Sequence, residues 1–153
     1  MQPVTTISEA GKFLIKRFEG LRLKPYLCPA LVPTIGWGNT YYEDGTRVKL
    51  SDPPITRERA ETLFAHALKP YVGAVVSYTR DDITQNQFDS LVSFAYNVGT
   101  HGLKNATLLR LVNANPNDPA IRAQFLRWNK AGGKVLGALT VRRKAEADRY
   151  FSA

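Results

Sequence analysis

Glu19, Cys28 and Thr34 follow one another with eight and then five residues between them, and Thr34 opens the run Thr34-Ile35-Gly36-Trp37-Gly38-Asn39-Thr40. A carboxyl, a thiol and a hydroxyl are groups that donate protons to leaving atoms, take protons from water or hold a water in place. Glu19 is expected in the last turn of a helix. There it faces the negative end of the helix dipole, with Ile15 one turn earlier as apolar cover, and both effects disfavour the carboxylate and suit a general acid. An arbitrary glutamate at a helix end is a solvated surface charge, so position alone does not single it out. Cys28 is the single cysteine, which excludes an internal disulfide, and His66 and His101 do not complete a Cys/His zinc site of ordinary spacing. No metal and no cofactor are expected.

The elements that would carry these residues are read from caps and periodicity. Ser8 caps a first helix with Ala10, Phe13, Leu14 and Phe18 on its apolar stripe and Gly20 at its end. From Leu21 to Leu50 the helical period disappears, and Asp44-Gly45 between Tyr41-Tyr42 and Thr46 to Val48 reads as a hairpin. Thr56 caps a helix through Ala60, Leu63, Phe64 and Leu68, which Pro70 is expected to kink or break before Val72 to Val76. Thr84 and Gln87 form a capping box for a core helix through Phe88, Leu91, Val92, Ala95 and Val98 that stops at Gly99. Shorter helices are expected around Leu108 to Val112, from Pro119 after an Asp118 cap to Trp128, and from about Leu139 to Phe151.

Glu19-Gly20 through Cys28, the stretch Pro29 to Pro33, and Thr34-Ile35-Gly36-Trp37-Gly38 together resemble the phage-lysozyme family of glycoside hydrolases, the endolysins and muramidases. Its members carry Glu, eight residues, Asp or Cys, five residues, Thr, then an Ile-Gly-aromatic-Gly strand. Gln85 to Phe94 with Asn97-Val98-Gly99 is similar to the family's central helix, and Trp128 to Gly133 with Val141 to Glu146 to its C-terminal part. The resemblance implies an α+β, mainly α, lysozyme-like fold. One catalytic domain would span 1–153, with a small β-hairpin lobe at about 21–50, a helical body at 1–20 and 55–153, and the substrate cleft between them. It implies Glu19 as the acid, Cys28 at the second catalytic position and Thr34 holding the attacking water, with an arginine, Arg142 or Arg143, supporting the acid. The expected reaction is hydrolysis of the β-1,4 bond between N-acetylmuramic acid and N-acetylglucosamine in peptidoglycan, leading to host-cell lysis. Gln87 and Trp128 are expected to bind substrate. So are Gly36 and Gly38: in an extended Thr34 to Gly38 segment they share the face of Thr34 and let a sugar approach the backbone, while Ile35 and Trp37 face the other way. The chain departs from the family at Cys28, where Asp is common, in Pro29 to Pro33, where a glycine is common, and at Asn39, where His is frequent.

With 153 residues, 44% hydrophobic and 22% charged, the chain suits one globular domain. Lys and Arg outnumber Asp and Glu by 21 to 13, a net +8 that favours polyanions, including the acidic bacterial wall. No stretch approaches the roughly 20 apolar residues of a membrane span, and Met1 to Ala10 has neither a basic start nor an apolar signal core. The expectation is a monomer held in the host cytoplasm until a holin-type pore gives it access to periplasm and wall, with peptidoglycan glycan strands as partner and no specific nucleic acid. A lytic transglycosylase, which needs an acid/base glutamate but no second carboxylate, is the first competing reading. A basic nucleic-acid-binding protein and a non-enzymatic wall-binding module follow it.

Overall fold

The computed structural model describes residues 2–153. Met1, which opens the stretch read for an export signal, lies outside them. The chain divides into two compact units, Lys16–Lys69 and the remainder, residues up to Ile15 with Pro70–Ala153. Among the described residues no helix is long and apolar enough to cross a membrane.

Helix α1 (Glu9–Glu19) starts where expected: the Ser8 hydroxyl accepts the Gly11 amide at 3.1 Å, and the Gly20 amide closes on the Lys16 carbonyl at 2.9 Å. Its buried stripe differs from the sequence expectation. Gly11, Leu14 and Ile15 face inward, whereas Ala10 is exposed and Phe13 is 70% exposed. The core-facing position of the first turn is a glycine because Asp89 sits against it: a Cβ at Gly11 would lie 2.6 Å from Asp89 Cγ. Buried Asp89 accepts both the amide and the hydroxyl of Ser8, tying the start of α1 down.

In the Lys16–Lys69 unit, β1 (Arg22–Leu27) pairs antiparallel with β2 (Pro33–Gly36), matching Arg22 to Gly36, Tyr26 to Thr34 and Leu27 to Pro33. The register slips between Arg22 and Tyr26, where Pro25 has no amide to offer a ladder. The Asp44-Gly45 hairpin forms: Tyr41 bridges Arg47, the Tyr42 amide reaches the Thr46 carbonyl at 2.9 Å, and Asp44 Oδ1 accepts the Thr46 amide and hydroxyl at 3.0 and 2.7 Å. Ile35, Val48 and Leu63 form the buried centre, with Tyr42 and Ile55 packed against it.

Helix α2 (Arg57–Tyr78) begins at the Thr56 cap, whose hydroxyl accepts the Arg59 amide at 3.1 Å. It runs through Pro70 instead of breaking there. Pro70 deletes one i to i−4 bond, but Leu63, Phe64 and Leu68 before it and Ala74 and Val75 after it are buried, and tertiary packing of an apolar face outweighs one lost bond.

In the other unit, α3 (Gln85–Val98) carries the complete Thr84–Gln87 capping box and is buried from Gln87 to Ala95. Two helices, α4 (Thr100–Asn105) and α5 (Thr107–Ala114), follow it, the first without counterpart in the sequence reading. Helix α6 (Ile121–Leu126) is shorter than the Pro119 to Trp128 expectation. After it Lys130–Ala131 (β3) and Lys134–Val135 (β4) make an unanticipated hairpin around Gly132-Gly133. Helix α7 (Gly137–Tyr150) packs on α3 and α6, and Phe94 meets Phe125 and Trp128 edge-on at 5.7 and 5.4 Å.

Candidate active site

Glu19 is the last residue of α1 and is half-buried. Its carboxylate lies directly against Gly38: a Cβ there would fall 2.6 Å from Glu19 Oε1 and 3.2 Å from Cδ. Gly38 also has φ +78°, in the left-handed region that L side chains enter at a cost. No other residue fits that backbone and that approach together.

The segment that presents Gly38 is a turn, which corrects the extended reading of Thr34 to Gly38. The strand ends at Gly36, whose φ of +67° turns the chain, and Ile35 and Asn39 exchange two backbone hydrogen bonds of 2.9 Å around Gly36-Trp37-Gly38. Period-two alternation therefore stops at Gly36, and Gly36 and Gly38 do not share a strand face with Thr34. Buried Asn39 holds the turn, its Oδ1 accepting the Trp37 amide at 3.2 Å and standing 2.9 Å from where a Gly36 Cβ would be. Trp37 is buried against Phe64, centroids 5.7 Å apart, beneath Lys16 Nζ at 4.4 Å, and Lys16 is ion-paired with Glu61.

Cys28 follows β1 in a tight turn, its carbonyl accepting the Leu31 amide at 2.8 Å and its amide reaching the Val32 carbonyl at 3.2 Å. Leu31 takes φ +61°, the conformation a glycine would supply in this glycine-free stretch. Hydrogen bonding by the Val32 amide, with further help from the Ala30 amide and the Thr34 hydroxyl, outweighs burial and lowers the Cys28 thiol below its ordinary range. Thr34 is 2% exposed, and its hydroxyl donates to the Val32 carbonyl at 2.8 Å. One hydroxyl proton serves either acceptor, so Thr34 can turn from carbonyl to sulfur when the thiol ionises. Tyr26, unassigned in the sequence reading, stands opposite Thr34 in the ladder. Burial raises its phenol, the Glu19 charge raises it further, and Cys28 adds to the effect, so Tyr26 is within electrostatic reach of both. The signal that could have found it is its cross-strand place eight residues before Thr34.

Glu19, Cys28, Thr34, Gly36 and Gly38 thus all belong to the Lys16–Lys69 unit; Gln87, Trp128, Arg142 and Arg143 belong to the other. Gln87, expected to bind substrate, is engaged in the start of α3. It is buried, its Oε1 accepts the Thr84 amide at 2.9 Å, and its Nε2 points to the Pro116 carbonyl at 3.4 Å. Trp128 is half-buried on Phe94, and its carbonyl accepts Arg143 Nε at 2.9 Å. Arg142 and Arg143 are buried and share the buried Glu146 carboxylate. Arg142 also donates to the Ser93 carbonyl at 3.1 Å, Arg143 reaches Asn97, and Glu146 accepts the Ser93 hydroxyl at 2.5 Å. Among the described residues no three of His, Cys, Asp and Glu are grouped to hold a metal ion.

Comparison with known proteins gives this constellation its relatives. The family model for phage lysozyme matches residues 16–146. The chain is 45% identical to an endolysin of Bacillus phage B103 over 95% of its own length and 54% of that protein's. It is 38% identical to the endolysin of Salmonella phage P22 over 95% of its own length and 98% of the relative's. It superposes on the solved endolysin of an Escherichia coli phage, FAHEc1, with a TM-score of 0.89 and 35% identity, covering 99% of this chain and 96% of that one. The chain spans about half the length of the two Bacillus-phage relatives. A mainly helical lysozyme-like α+β fold and the Glu19 to Gly38 motif lie within the matched span, and the chain belongs to the phage lysozyme family.

Proposed function

We propose that the chain is an endolysin that hydrolyses the β-1,4 bond between N-acetylmuramic acid and N-acetylglucosamine, with Glu19 as proton donor and Cys28 and Thr34 on the water side. The observation that carries the reading is that one unit holds both the Glu19 carboxyl, set against Gly38, and a thiol lowered by the Val32 and Ala30 amides and Thr34, with Tyr26 in electrostatic reach of both. In this scheme Glu19 gives its proton to the glycosidic oxygen as the C–O bond breaks, and positive charge develops on the sugar. The Cys28 thiolate takes a proton from water as the water oxygen bonds to the anomeric carbon, and Thr34 steadies the thiolate. The products are a free hydroxyl on one sugar and a reducing end on the other. The endolysin names of the relatives support peptidoglycan as the substrate. Lysis of the host from a cytoplasmic pool, as a monomer released through a holin-type pore, belongs to the same proposal.

One observation favours a second reading: position 28 carries a thiol in place of the commoner carboxylate, and a lytic transglycosylase needs only the glutamate. Mass spectrometry of digested peptidoglycan separates the two, since hydrolysis leaves reducing ends and transglycosylation anhydro ends. Glu19→Gln is expected to fold and to lose nearly all turnover. Retention within about tenfold, a barrier change of only about 1.4 kcal/mol, would remove Glu19 from the donor role.

A further inference from the structure

We propose that a pocket of about 680 Å³ on the Lys16–Lys69 unit binds the carboxylates of the peptide stem that hangs from the muramic acid lactyl group, an inference that rests on the peptidoglycan reading. Val32, Pro33, Tyr41, Arg47, Val48 and Lys49 line it.

Its position follows from the strand. Pro33 directly precedes Thr34 on β2, and the Val32 carbonyl accepts both the Thr34 hydroxyl and the Cys28 amide. At roughly 3.3 Å per strand residue, the pocket wall starts within about 7 Å of Thr34. A glycan seated at the water side of the site therefore has its lactyl substituent within reach of the pocket.

Its chemistry is that of an anion site. Arg47 and Lys49 line it without any Asp or Glu, and neither is ion-paired among the described residues. The Arg47 guanidinium lies over the Tyr41 ring, 5.3 Å from its centroid, a cation–π contact that holds it at the pocket wall, and its N–H groups suit a planar carboxylate. The wall is preformed: Tyr41 bridges Arg47, the Val48 amide bonds the Thr40 carbonyl at 2.9 Å, and Val48 is anchored in the unit's core. Exposed Tyr41 and Leu50 supply apolar surface for the methyl groups of alanine-rich stems. The neighbouring pocket of about 470 Å³ is the contrast. Glu43, Asp44 and Asp52 line it, and its one arginine, Arg59, is already paired with Glu43, so it repels the same ligand.

The test uses the full chain and a muramyl peptide with free carboxylates, set against the same compound with carboxamides. Calorimetry is expected to show the acid binding at least tenfold more tightly at low salt, with amide resonances of Tyr41 and Val48 shifting on titration. Exposed ion pairs contribute up to about fivefold each, so Arg47→Gln with Lys49→Gln should weaken the acid about twentyfold and leave the carboxamide unchanged. The same double variant should keep its melting temperature and its turnover of peptide-free glycan. Equal affinity of the wild type for both compounds, or selectivity that survives the double substitution, overturns the pocket. Selective binding without release of sugar ends from any glycan would support the pocket and overturn the cleavage reading instead.

Discussion

Gly38→Ala places a methyl group where the Glu19 carboxylate now lies, 2.6 Å from Oε1 and 3.2 Å from Cδ. Non-bonded contacts settle at about 3.5 Å or beyond, so the carboxylate must retreat by roughly 1 Å, and displacement of that size costs on the order of 10²-fold in rate. The backbone adds a separate penalty: an L residue at φ +78° is destabilised by about 1–2 kcal/mol, equivalent to about 2–8 °C of melting temperature for a chain of this size. Gly45→Ala separates the two effects, because Gly45 has φ +87° and a Cβ there meets nothing within 4 Å. Both variants should melt lower by similar amounts in circular dichroism. Only Gly38→Ala should lose about a hundredfold in kcat, measured as new reducing ends from purified peptidoglycan. If Gly38→Ala keeps kcat within about threefold, or if Gly45→Ala loses as much, the contact with Glu19 does not position the acid.

The Cys28 reading predicts an active Cys28→Asp and a folded but strongly impaired Cys28→Ala; full activity in Cys28→Ala would leave the thiol only a packing role. Because the chain has one cysteine, an alkylating reagent should inactivate the wild type and spare Cys28→Asp, with the rate of inactivation rising at lower pH than for a free thiol near about 8.5. Glu146→Gln leaves Arg142 and Arg143 buried without their shared carboxylate, an expected loss of about 3–5 kcal/mol, and a melting shift below about 2 °C would refute that dependence. Burial, and then the bond to Asp52, push the Tyr42 phenol up to about 12, while the Lys49 amide and the Tyr42 hydroxyl hold Asp52 below the usual carboxylate range. Stability from this pair should be full between about pH 4 and pH 10, fading as pH falls through the lowered Asp52 value or rises from 10 towards 12. Ultraviolet titration of Asp52→Asn should show Tyr42 ionising at lower pH, and an unchanged midpoint would dismiss the Asp52 contribution.

Elements with both a cap and a stripe are legible in the sequence. Thr84, Gln87 and the run Phe88, Leu91, Val92 and Ala95 specify α3 at both levels, and the structure reproduces cap and burial alike. The failures occur where local pattern and tertiary packing diverge. Pro70 looks like a break because it forfeits a backbone bond, yet buried residues on both sides keep α2 whole. The inward face of α1 starts with Gly11, which carries no hydrophobic signal, so the apolar pattern points one residue earlier, to exposed Ala10 and Phe13, and meets the buried face only at Leu14. The Lys130 to Val135 hairpin rests on two residues per strand, all exposed, too short for alternation to register.

The candidate site was legible in its intervals but not in its dihedral angles. Gly36 and Gly38 stand out as glycines; what alternation could not show is that both have positive φ, so that a strand becomes a turn and Gly38 comes to Glu19 instead of to the face of Thr34. Leu31 hides the same information in reverse, adopting φ +61° in a stretch where the family commonly places glycine. That turn carries the amides of Ala30 and Val32 that stabilise a negative sulfur at position 28, with Thr34 opposite as a third donor. Three donors of this kind serve a carboxylate as well as a thiolate, since both are acceptors when ionised. The departure at Cys28 therefore changes the acceptor and leaves its cradle in place, which is the physical ground for expecting Cys28→Asp to work without any compensating substitution.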